Sequence, residues 1–106
     1  MGDKLREILA ELRRELEGIY GDRLVKMILF GSQARGDAED GSDIDVLVVL
    51  EGGGRPAEET RRTADLRAEL SLSHDMVVSL LFVSADRYLG EQSPLMINVR
   101  REGVLV

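Results

Sequence analysis

Leu29-Phe30-Gly31-Ser32-Gln33-Ala34-Arg35-Gly36, followed by Ser42-Asp43-Ile44-Asp45-Val46-Leu47-Val48-Val49, decides how this chain folds. Ten residues separate Ser32 from Asp43. The apolar run Lys26–Phe30 has the length and composition of a buried strand. It stops at Gly31, which accepts backbone angles and close approaches that a side chain would block. Ser32 suits the N-cap of a short helix. A strand passing through Gly-Ser into a helix start aims backbone N–H groups at one spot and favours phosphate there. Arg35, about one turn on, adds a fork of donors for phosphate oxygens.

The second strand is expected over Ile44–Leu50. Side chains alternate faces along a strand, so Asp43 and Asp45 point the same way, with Cα atoms about 6.6 Å apart. Two carboxylates on one face beside such an apolar run repel each other and resist desolvation. Mg²⁺, which takes oxygen ligands, relieves both problems. A pair of ions about 3.5–4 Å apart is the usual clamp for in-line displacement at phosphorus. Asp-x-Asp alone is a weak signal, and Asp43 read in isolation is an ordinary turn residue. The combination with Gly-Ser, Arg-Gly and the spacing is specific. A P-loop is excluded, because Asp37-Ala38 follows Gly36 where Lys and Ser/Thr are required. A calcium loop over residues 37–48 lacks its twelfth-position acid.

Gly31-Ser32…Asp43-x-Asp45 resembles the nucleotidyltransferase superfamily of DNA polymerase β, and specifically its minimal (MNT-type) members. The resemblance spans nearly the whole chain, which is read as a single domain over residues 1–106. It implies an α/β (α+β) polymerase-β-like fold, a small mixed sheet with helices packed mainly on one face. It implies that Gly31 and Ser32, with Arg35, bind the nucleotide's phosphates and that Asp43 and Asp45 bind two Mg²⁺. A third acid on a later strand completes the family's metal site, and Asp75 is the match. Ser93-Pro94-Leu95 and Arg101-Glu102-Gly103-Val104 also look similar to the family's C-terminal helix.

Composition narrows the partners. The chain has 106 residues, 32% charged and 43% hydrophobic, and a net charge of −6. That suits one globular domain with a modest core. An acidic chain argues against a broad nucleic-acid-binding face, which needs a basic surface. With no cysteine, disulfides and thiolate metal sites are excluded. No apolar run approaches the length of a membrane span, and Met1-Gly2-Asp3-Lys4 leads into a polar helix rather than a signal peptide. A cytoplasmic location is the expectation.

Elsewhere, Asp3 is expected to cap a first helix to Tyr20, with Leu5, Ile8, Leu9, Leu12, Leu16 and Ile19 as its apolar stripe and Gly21 as its end. Gly52-Gly53-Gly54 reads as a surface loop, alternatively as one that moves when nucleotide enters. A second helix is expected from Pro56 to Leu72, and a third strand from Asp75 to Val83. If that strand lies beside Ile44–Leu50, Asp75 faces the same metals. His74 reads as structural or solvent-exposed. Ser84 and Ser93-Pro94 suit the starts of a short turn and a last helix, with an edge strand over Val104–Val106.

The reaction implied by the resemblance is transfer of a nucleoside monophosphate from ATP or another NTP to a hydroxyl. A chain this short has no second domain to hold the acceptor, so a partner protein is the economical answer. The resemblance points to a HEPN-domain toxin, with this chain as the antitoxin that adenylylates it, in a homo- or hetero-oligomer. The alternatives are a non-catalytic antitoxin acting by binding alone, and a small-molecule nucleotidyltransferase.

Overall fold

The computed structural model describes residues 2–39, 41–52 and 55–106. Gly53 and Gly54 of the triple-glycine break lie outside them, as do Met1 and Asp40. The chain opens with helix α1 (Asp3–Tyr20), which buries Ile8, Leu9, Leu12, Leu16 and Tyr20. The buried stripe ends on Tyr20 rather than Ile19, which is 39% exposed. Asp3 lies within the first turn and Gly2 is the N-cap, so the expected Asp3 cap is not formed. Gly21 ends the helix at φ 54°.

Strand β1 (Leu24–Phe30) runs into helix α2 (Ser32–Arg35), and strand β2 (Ile44–Leu50) returns antiparallel to β1. Helices α3 (Pro56–Arg62) and α4 (Ala64–His74) cross to strand β3 (Val78–Ser84), which lies parallel to β2. The single expected helix is divided at Thr63, a fully buried residue with φ −101° and ψ 7°. Its hydroxyl donates to the Glu59 carbonyl at 2.9 Å, a local bond that competes with the regular helical ladder. Helices α5 (Ala85–Gly90) and α6 (Pro94–Glu102) follow, each started by a serine hydroxyl accepting a backbone N–H: Ser84 from Arg87, Ser93 from Met96. Strand β4 (Val104–Leu105) closes the sheet, whose order is β3-β2-β1-β4.

The sheet has two covered faces. Met27 and Leu29 of β1, Ile44, Val46, Val48 and Leu50 of β2, and Val78 and Phe82 of β3 pack under α1 and α4. Ile28, Leu47, Val49 and Val83 face the other way, against Met96 and Val99 of α6 and Tyr88 of α5. The long helices thus share one face, as expected, and the short C-terminal pair covers part of the other. Burial on both sides explains the unbroken apolar run of β2. Truncating Leu47 or Leu12, both fully buried, to Ala costs about 2–5 kcal/mol.

One charged group is tied into this core. Glu59 is 4% exposed. It accepts a hydrogen bond from the Tyr20 hydroxyl at 2.9 Å and faces Arg62 Nε at 3.3 Å and Arg23 at 3.9 Å. Burial, then the bond to Glu59, pushes the Tyr20 hydroxyl well above its usual range. The network staples α1 to α3. On the same helical face of the molecule, His74 Nε2 meets Glu11 Oε2 at 2.9 Å and joins α4 to α1, so His74 is structural.

Candidate functional site

Register places the acids. Phe30 pairs with Asp45 across β1 and β2, so Asp45 lies on the α6 side of the sheet, at its open end. Asp43, two residues earlier, is exposed at the strand mouth. Gly31 follows Phe30 with φ 75° and ψ −158°, a combination essentially restricted to glycine. A Cβ at Gly31 would lie 2.6 Å from Asp45 Oδ2. The carboxylate therefore leans over the glycine, and the turn and the acid form one unit.

Gly31, not Ser32, is the N-cap of α2; Ser32 occupies the first helical position and makes no side-chain cap bond. The turn is closed by Ala34 N and Arg35 N donating to the Gly31 carbonyl, both at 3.1 Å. The first N–H groups of a helix have no acceptor within it, which leaves those of Ser32 and Gln33 without an intrahelical partner. Gln33 Nε2 donates to the Ser42 carbonyl at 3.3 Å and ties α2 to the segment that delivers Asp43. Ser42 Oγ in turn accepts from Glu39 N at 3.0 Å.

Arg35 is engaged by acids: Nε lies 3.3 Å from Asp37 Oδ2 and Nη1 lies 3.9 Å from Glu102 Oε2. Half-exposed pairs of this kind are worth about 0–1 kcal/mol, so they hold Arg35 only weakly. Phe30, Gly31, Arg35, Leu95, Asn98 and Glu102 line a cleft of about 180 Å³ between the glycine turn and α6.

Asp45 carries the electrostatic strain. Burial, and then the neighbouring Asp43 charge, raises its pKa above the usual carboxylate value. A divalent cation between Asp43 and Asp45 would remove both penalties, so the pair fits one such ion.

Asp75 does not join them. The strand expected from Asp75 begins at Val78, and α4 runs on to His74. Asp75 is the exposed C-cap of α4, at φ 53° and ψ 43°, a left-handed position that a short polar side chain tolerates. The parallel ladder opens with Ile44 N donating to the Val77 carbonyl at 2.9 Å. β3 does lie beside β2, but the residue paired with Asp45 is Ser79. Among the described residues no group of three His, Cys, Asp or Glu side chains has metal-binding geometry. A three-acid set with Asp75 is therefore not formed. Ser79 was missed because a serine inside an apolar strand carries no signal until the register is known; Asn98, a polar position on an amphipathic helix, was equally silent.

The comparisons agree with this architecture. Residues 5–95 match the family model of the nucleotidyltransferase domain. A Methanocaldococcus jannaschii protein named for protein adenylyltransferase activity is 35% identical over 74 residues, 69% of this chain and 73% of that protein. A crystal structure of a toxin–antitoxin with AMP-PNP superposes with a TM-score of 0.65 at 20% identity, over 98% of this chain and 72% of that one. A mutant of the toxin–antitoxin MntA–HpeT superposes with a TM-score of 0.59 at 18% identity, over 90% and 69%. Identities this low carry the fold alone, whereas the family match runs through the glycine turn, both strand-mouth acids and the start of α6. The chain belongs to the nucleotidyltransferase domain family, with the polymerase-β-like fold.

Proposed function

We propose that this protein transfers AMP from ATP to a hydroxyl on a partner protein, a HEPN-domain toxin that it neutralises as an antitoxin. The observation that carries the reading is the contact between Gly31 and Asp45. It sets a carboxylate directly beside a backbone turn suited to phosphate. In the transfer, the acceptor oxygen bonds to the α-phosphorus as the bond to the β-phosphate bridging oxygen breaks, releasing pyrophosphate and one proton. Chemistry of this type depends mainly on positioning and charge neutralisation.

The assigned roles follow from position. Gly31 lets the phosphates approach the backbone, and Ser32 offers its N–H and hydroxyl. Arg35 exchanges Asp37 and Glu102 for a phosphate oxygen. Asp43 and Asp45 would hold Mg²⁺, which when bound neutralises phosphate charge. A relative named for protein adenylyltransferase activity and a toxin–antitoxin neighbour crystallised with AMP-PNP support the choice of acceptor class and nucleotide.

The test is incubation with α-labelled ATP, Mg²⁺ and the product of the adjacent gene. Label on that product, lost in Asp43→Asn, is expected. A specific observation favours a second reading: with Asp75 at the end of α4, the described residues bring two carboxylates to the site rather than three. Neutralisation by binding alone would then appear as a stable complex without label in either variant, and that result would overturn the transferase reading.

A further inference from the structure

We infer that the site takes one divalent cation with its nucleotide, on the Gly31 side of Asp45, and that Ser79 bars a second ion on the β3 side. The inference rests on the nucleotidyl-transfer reading above. Three observations carry it.

The first is the direction in which Asp45 leans. Oδ2 lies 2.6 Å from where a Cβ of residue 31 would be, so that oxygen faces the glycine turn at the end of β1 and away from β3. Asp43 and Asp45 would hold an ion on that side, next to the glycine turn. The second is the register. Paired residues of neighbouring strands lie side by side on one face, about 4.8 Å apart. Asp45 is paired with Ser79, so the flank towards β3 presents a neutral hydroxyl. Hard divalent cations in protein sites draw their charge balance from carboxylates; a hydroxyl can ligate but supplies no charge. The third is Asp75, exposed at a left-handed helix end and outside the β2–β3 ladder. Two carboxylates balance the charge of one dication, and among the described residues the β3 flank offers no third.

Ser79 is thus the residue that sets how many ions the site holds. It is exposed, so a substitution there leaves the core untouched. The experiment is equilibrium dialysis of the intact chain with Mn²⁺ and excess α,β-methylene-ATP, with free Mn²⁺ counted by electron paramagnetic resonance. The wild-type chain and Asp75→Asn are each expected to hold one Mn²⁺ with the analogue, and Ser79→Asp two. Two ions in the wild type, or the loss of one in Asp75→Asn, overturns the inference. A count of one in Ser79→Asp overturns the role given to Ser79. No bound Mn²⁺ with analogue still bound overturns the inference alone. No analogue bound in any condition overturns the nucleotide reading as well.

Discussion

Asp45 fills the space that a side chain at residue 31 would need: its Oδ2 lies 2.6 Å from the position of a Cβ on Gly31. Gly31 is therefore required twice, for its φ of 75° and for the room it leaves to a carboxylate. Gly31→Ala is expected to lose about 1–3 kcal/mol from backbone strain, and to displace Asp45. Urea unfolding of Gly31→Ala, Asp45→Ala and the double variant separates the two causes. A double variant less destabilised than the sum shows the steric coupling; strict additivity would place the whole cost in the backbone.

Asp45 holds its proton to higher pH than it would in the unfolded chain, because of burial and then Asp43. Its folded form is favoured at low pH, and that favour is lost as pH rises through the raised pKa. Asp45→Asn removes the loss. Without divalent cations the variant is expected to melt higher than the wild type at neutral pH, by about 2–5 °C, and the gap is expected to close below the ordinary carboxylate pKa. Nucleotide transfer is lost in the same variant. Melting curves across the acid range check the pair of effects, and a lower Tm at neutral pH would show that Asp45 is not under strain.

The glycine turn, β1, β2 and the α1 stripe were legible in the sequence because each rests on local chemistry: an apolar run, a glycine stop, a 3–4 residue repeat. So was β4, and so were the serine starts of α5 and α6. The third acid was not. Whether Asp75 or Ser79 stands beside Asp45 depends on where α4 ends and how β3 registers on β2, and neither follows from composition. The break at Thr63 was hidden for a similar reason, since a threonine bonding back to Glu59 looks like any helical threonine until its burial is seen.

Glu59 is the buried charge of the α1–α3 junction. Tyr20→Phe removes its shortest hydrogen bond and is expected to cost about 1–2 kcal/mol. Glu59→Ala also leaves the Tyr20 hydroxyl unpaired and is expected to cost about 2–4 kcal/mol. Chemical denaturation measures both. A neutral Glu59→Ala would mean that α3 is held by Thr63 and the sheet alone.

Near the Gly31 end of β1, Gly103 brings α6 onto the sheet. A methyl there would press on Ile28 Cγ2 and on the Val99 carbonyl oxygen. Gly103→Ala is expected to destabilise by about 1–3 kcal/mol and to loosen the β4 pairing of Ile28 with Leu105. Hydrogen exchange at Val106 N, which donates to the Met27 carbonyl at 3.0 Å, reports the loosening. Unchanged exchange would show that β4 does not depend on this contact.

The most direct measurement is calorimetric titration of ATP with Mg²⁺ into the wild-type chain, Gly31→Ala and Asp45→Asn. The wild type is predicted to bind, and each variant to bind at least about tenfold more weakly, a difference of about 1.4 kcal/mol. Equal affinity in all three proteins, or no binding to the wild type, would contradict the account.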